Sequence, residues 1–231
     1  LIQLGVTDGE RARLIRGSGV DIERFFPHED SSGYFRDPLQ VLFPSRLIRE
    51  KGTAELLQAC RRLWSEGFAM ELLVAGALDS GNRSALSDSE LAELQADPRI
   101  RCLGHVVEME DIYAASDIVV LPSWREGLSR ALIEAAAMER PIITTDVPGC
   151  RDVIDHGSSG LLVPLRDARA IELAVRLLIE NQDLARRFGK AARQRVVAEF
   201  QVSRVNQSTL QQYDELLATQ LDRKPLLQGL F

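Results

Sequence analysis

Residues 116–137 read SDIVVLPSWREGLSRALIEAAA, and the way this stretch divides decides the fold. Ile118-Val119-Val120-Leu121 is short, apolar throughout and rich in β-branched side chains, which marks a strand buried on both faces. From about 129 to 138 the pattern becomes helical. Between the two lies a loop that carries Trp124, Arg125, Glu126 and Gly127. A fully apolar strand followed at once by a helix is the unit of a parallel sheet covered on both sides.

The same alternation extends in both directions. Strands are predicted at 41–44, 70–75, 99–103, 141–144 and 160–163. Helices are predicted at 52–66, 87–96 and 109–115, with a helical turn near 150–155. Ser87 and Glu90 stand in capping-box spacing at the start of the second of these helices. Right-handed crossovers then lead to an α/β fold, a Rossmann-like, doubly wound parallel sheet of about six strands with helices on both faces. Beyond Pro164 the chain turns helical, at about 168–180, 182–198 and 203–219. Residues 28–38 read as a loop and 223–231 as coil.

The 231 residues are 45% hydrophobic and 27% charged, enough to bury a core. The net charge of −6 counts against nucleic acid as a partner. Cys60, Cys102 and Cys150 are odd in number and lack any CxxC arrangement. They read as small buried residues in a reducing cytoplasm, neither a disulfide framework nor a zinc site. No apolar run approaches the ~20 residues that span a bilayer. No signal peptide is visible, and a first residue other than Met points to a fragment.

Ligands of an open parallel sheet bind at the carboxyl ends of its strands. One strand-end loop, 45–52, brings Arg46 and Lys51 ahead of a helix, a combination that suits a diphosphate, or else is a solvated charged turn. No P-loop and no G-x-G-x-x-G occurs, which argues against kinase, ATPase and nicotinamide-dependent chemistry. Glu126 precedes a helix that holds Glu134 amid Ala and Leu, where a carboxylate is costly to bury without partners. A ribose diol is one such partner. Gly127 removes a Cβ where backbone amides can approach a sugar. On spacing alone E-x7-E is a weak pattern, and the two glutamates read rather as a helix-entry charge and part of a surface face.

Residues 41–52 (VLFPSRLIREKG), 116–137 and 141–163 together resemble glycosyltransferase family 4, also called group 1. The similarity runs from about residue 17 to Tyr213. It implies the GT-B architecture, two Rossmann-like domains facing across a cleft, with this chain as the C-terminal donor-binding half. Residues 1–18 would be a remnant of the N-terminal domain and linker, 19–200 the nucleotide-sugar-binding domain, and 201–231 a crossing helix and tail. The linker would lie near 19–27.

The resemblance further implies a retaining, metal-independent enzyme without a cofactor. It would move a sugar from a nucleotide sugar, usually UDP-linked, to a saccharide or lipid-linked acceptor in bacterial polysaccharide synthesis. Arg46 and Lys51 would contact the diphosphate and stabilise the leaving group. Glu134 would hold the ribose, and Glu126 with the backbone of Gly127, Leu128 and Ser129 would position the sugar. The backbone at His105 and Val106 would face the base. The phrases GSGVD (17–21) and PGCRD (148–152) look most like a subgroup that extends saccharides on undecaprenyl-diphosphate. The acceptor would be bound by the N-terminal domain, leaving this chain little transfer activity alone. Other readings are a sugar-nucleotide epimerase domain of similar architecture and a non-catalytic nucleotide-binding module. Trp124 could line the sugar pocket or cap the core, and His156 reads as surface structure. Arg186, Arg187, Lys190, Arg193 and Arg195 are either a peripheral contact with an anionic membrane or a solvated face.

Overall fold

A computed structural model gives the architecture of residues 15, 17, 19–27 and 35–222. Six strands build one sheet: β1 (Leu39–Phe43), β2 (Met70–Ala75), β3 (Ile100–Gly104), β4 (Ile118–Leu121), β5 (Ile142–Thr145) and β6 (Leu161–Val163). Their order is β3-β2-β1-β4-β5-β6, and every adjacent pair is parallel. The helices are α1 (Thr53–Ser65), α2 (Asp88–Ala96), α3 (Met109–Ala114), α4 (Arg130–Ala137), α5 (Pro148–Arg151), α6 (Ala168–Glu180), α7 (Gln182–Glu199) and α8 (Val202–Asp222). This is the doubly wound fold that the apolar strands imply.

All of β4 is buried, as its composition requires. β5 is equally buried although it ends in two threonines. Ser87 and Glu90 form the reciprocal capping box at the start of α2. α5 begins two residues before the predicted turn because Pro148 occupies a first-turn position, where its fixed φ and missing N–H are no cost. Cys60 and Cys150 are buried, and Cys102 is partly so. No helix among the described residues is long and apolar enough to cross a membrane.

Two details bear on these expectations. Residues 19–27 are packed onto the domain. Val20 pairs with Gln201 in a β-bridge, Val20 and Phe25 are buried, and Arg24 donates to Glu110 from Nε at 2.8 Å. The basic helix is also no continuous cationic face. Arg193 turns inward to the carbonyls of Ala137 and Phe25, and Arg195 pairs with Asp155 and the carbonyl of Asp152. Arg186 pairs with Asp183 within the same helix. Arg187 and Lys190 are exposed on the same helix. The predicted loop at 28–38 falls partly, and the predicted tail at 223–231 and remnant at 1–18 fall almost wholly, outside the described residues.

The strand order reverses between β1 and β4, so the loops leaving these two strands diverge and open a crevice. The loop after β1 is further tied to the loop after β2 by two bridges, Leu47 with Leu78 and Ile48 with Ala85. Gly76 makes that approach possible: a Cβ there would stand 1.8 Å from the carbonyl oxygen of Ser45.

Candidate functional site

Two cavities open side by side at the carboxyl ends of the strands, each of about 470 Å³. The first is lined by Gly76, Asp79, His105, Val106, Tyr113 and Glu134, among others. The second is lined by Ile48, Glu50, Lys51, Glu126 and Gly127, among others. Arg46 lines both and is the residue they share.

Each wall has a local cause. Lys51 lies in a short 3₁₀ turn, 49–51, directly after the bridges that fix the loop beyond β1. Glu126 lies in the loop after β4, and its Oε1 accepts from Lys51 Nζ at 2.5 Å and from Ser123 Oγ at 2.8 Å. Ser123 is itself anchored. Thr145 donates its hydroxyl to the Ser123 carbonyl, and Thr144 donates to that of Leu121 at 2.7 Å. All three hydroxyl residues are fully buried. The threonines at the end of β5 thus serve the carbonyls that β4 frees as it leaves the sheet.

Glu134 is 8% exposed on α4, facing the first cavity. Arg130 Nε donates to its Oε1 at 2.8 Å, and the Tyr113 hydroxyl lies 3.4 Å from its Oε2. The same phenol lies closer, at 3.0 Å, to the Ala131 carbonyl. Burial raises the Glu134 carboxyl above its ordinary range, and the Arg130 guanidinium offsets only part of this. Burial and the neighbouring Glu134 also hold the Tyr113 phenol protonated.

The predicted site residues therefore meet, in two groups. Arg46, His105, Val106 and Glu134 line the first cavity; Arg46, Lys51, Glu126 and Gly127 line the second. Leu128 and Ser129 line neither. Leu128 packs against the core, and Ser129 is buried at the start of α4 without a side-chain cap bond. Trp124 stays outside both cavities, donating to Glu55 at 3.2 Å beneath the Arg166 guanidinium. His156 is exposed and accepts from the Leu162 amide at 3.0 Å, a turn-stabilising role. Sequence reasoning missed Asp79, Tyr113 and Ser123. Only the threonines in an otherwise apolar strand carried a signal, as buried hydroxyls that need partners.

Known proteins resemble this chain in sequence and in fold. The capsular polysaccharide biosynthesis glycosyltransferase CapM of Staphylococcus aureus is 32% identical over 164 residues, which cover 71% of this chain and 43% of that protein. The chain spans about half the length of the curated relatives it matches. Among solved structures, sucrose-phosphate synthase of Thermosynechococcus elongatus superposes with a TM-score of 0.79 at 26% identity, over 94% of this chain and 56% of that one. Anabaena HepE in complex with UDP gives 0.78 at 21% identity, over 93% and 60%, a likeness of fold. The family model described as glycosyl transferases group 1 matches residues 27–195. With this match across most of the chain, the protein belongs to the glycosyl transferases group 1 family.

Proposed function

We propose that this chain is the donor-binding half of a retaining glycosyltransferase, taking a nucleoside diphosphate sugar across both cavities. The observation that carries the reading is the shared Arg46, which stands between a carboxylate-lined cavity and one holding the Lys51–Glu126 pair. A ligand spanning them meets a ribose acceptor first, then cations, then Glu126. Glu134 accepts from the ribose hydroxyls, and the backbone at His105 and Val106 faces the base.

Arg46 and Lys51 meet the negative charge that grows on the departing diphosphate, so the leaving group is stabilised without a metal ion. The amides in the first turn of α4 add a favourable dipole, since Ser129 does not cap them. Glu126, with the Gly127 backbone, orients the sugar. Uridine as the base is supported by HepE, a protein of this fold solved with UDP and with UDP-glucose. Retention of the anomeric configuration follows the family resemblance.

A facing domain supplies the acceptor, in keeping with relatives about twice this length. The names of CapM and of the Escherichia coli relative WcaL, a colanic acid biosynthesis glycosyltransferase, support an acceptor in bacterial polysaccharide synthesis. Crystals soaked with UDP test the reading. The ribose should lie against Glu134 and the diphosphate between Arg46 and Lys51; UDP bound elsewhere at saturation would refute it.

A further inference from the structure

Arg46 does not wait unpaired for a ligand. Its Nη1 donates to Asp79 Oδ2, in a salt bridge between two residues that line the first cavity. The pairing is set by backbone. The residues that follow Arg46 and precede Asp79 in sequence, Leu47 and Leu78, form a parallel bridge, and the Leu47 amide donates to the Ala77 carbonyl at 3.0 Å. The antiparallel bridge of Ile48 with Ala85 closes the other end of the Asp79 loop. The Asn82 amide donates to the Asp79 carbonyl at 2.9 Å and fixes the turn between. Asp79 is thus held opposite the one cation that both cavities share.

We infer that Asp79 is a competing counter-ion for Arg46, which a diphosphate displaces on binding and which takes Arg46 back as the product leaves. The inference rests on the donor-site reading above. Its logic is charge. A sugar diphosphate diester carries two negative charges. When the sugar–oxygen bond breaks, the electron pair stays on the terminal phosphate oxygen, so the nucleotide product is the more anionic ligand. A site with Arg46 and Lys51 both free would hold that product more tightly than the donor. An aspartate on Arg46 lowers the grip on every diphosphate and shortens the stay of the product.

The test is calorimetric titration of wild type and Asp79→Asn with UDP, GDP and ADP, and with the nucleoside matching whichever of these binds. For an exposed pair of this kind, Asp79→Asn should tighten the diphosphate by about 1.4- to fivefold, mainly through a slower dissociation rate. Binding of the nucleoside should not change. In an Arg46→Gln background the gain should vanish, which also separates competition from altered folding. Weaker or unchanged diphosphate binding in Asp79→Asn, or an equal change with the nucleoside, overturns the inference. Wild type that binds none of the three diphosphates overturns the donor-site reading itself, and with it this one.

Discussion

Lys51 and Glu126, 75 positions apart, meet with Nζ 2.5 Å from Oε1 at the point where β1 and β4 part. The two side chains are only 18% and 12% exposed. Among the described residues Glu126 Oε2 has no comparable partner, so one oxygen is committed to structure and the other is open to a ligand. Breaking such a pair from one side strands a charge, whereas removing both charges does not. Lys51→Met and Glu126→Gln should each destabilise the fold by about 1–3 kcal/mol, and the double variant by less than their sum. Urea denaturation of the four proteins measures this, and additive losses would show the pair is uncoupled.

The anchoring of Ser123 makes a second prediction. Thr145→Val leaves the Ser123 carbonyl without its donor in a fully buried position, at a cost of about 1–3 kcal/mol. Thr145→Ser keeps the hydroxyl and should lose much less. Equal unfolding midpoints for the Val and Ser variants would remove the hydroxyl from the account.

Glu134 sets a pH dependence of definite sign. Its carboxyl is raised in the folded chain because burial disfavours the charged form. A group with a raised folded pKa contributes stability below its unfolded value, and that contribution is lost as pH rises through the folded pKa. Glu134→Gln should therefore gain in thermal midpoint relative to wild type as pH is brought from about 4 to 7. Nucleotide affinity should move the other way. In the proposed donor site the charged carboxylate accepts from the ribose, so wild-type binding should weaken on acidification, while Glu134→Gln should bind poorly at every pH. Parallel stability profiles for the two proteins would contradict this.

Two glycines should separate fold from site. A Cβ on Gly149 would lie 1.3 Å from the Gly127 carbonyl oxygen, so Gly149→Ala must push the Glu126–Gly127 loop away from α5. The expected loss is about 1–3 kcal/mol or more, with nucleotide binding reduced alongside. A Cβ on Gly127 meets nothing within 4 Å, so Gly127→Ala should change stability by no more than about 0.5 kcal/mol. It would nevertheless obstruct the second cavity. Thermal unfolding and UDP titration of both variants distinguish the two roles.

Much of this was legible in the sequence wherever the signal was local. β2 and β4 lie at their predicted residues, β4 because it is a short, wholly apolar and β-branched run between Asp117 and Pro122. The Ser87–Glu90 box needed only spacing. Arg46, Lys51, Glu126 and Glu134 were legible as strand-end residues, and the roles proposed for them rest on the family resemblance, which E-x7-E alone does not supply. What escaped was long-range. Asp79 is an ordinary loop aspartate until two β-bridges bring it to Arg46, and Tyr113 reads as core until its hydroxyl is seen beside Glu134. The arginines of α7 have a surface composition, yet Arg193 and Arg195 are used to satisfy carbonyls of distant segments.

The central claim is that one ligand spans both cavities, and titration of UDP and of uridine into wild type, Glu134→Ala and Lys51→Ala tests it most directly. The account predicts that both substitutions weaken UDP, each by about tenfold or more, and that only Glu134→Ala weakens uridine. UDP binding indifferent to either change, or no binding of UDP at all, would contradict it.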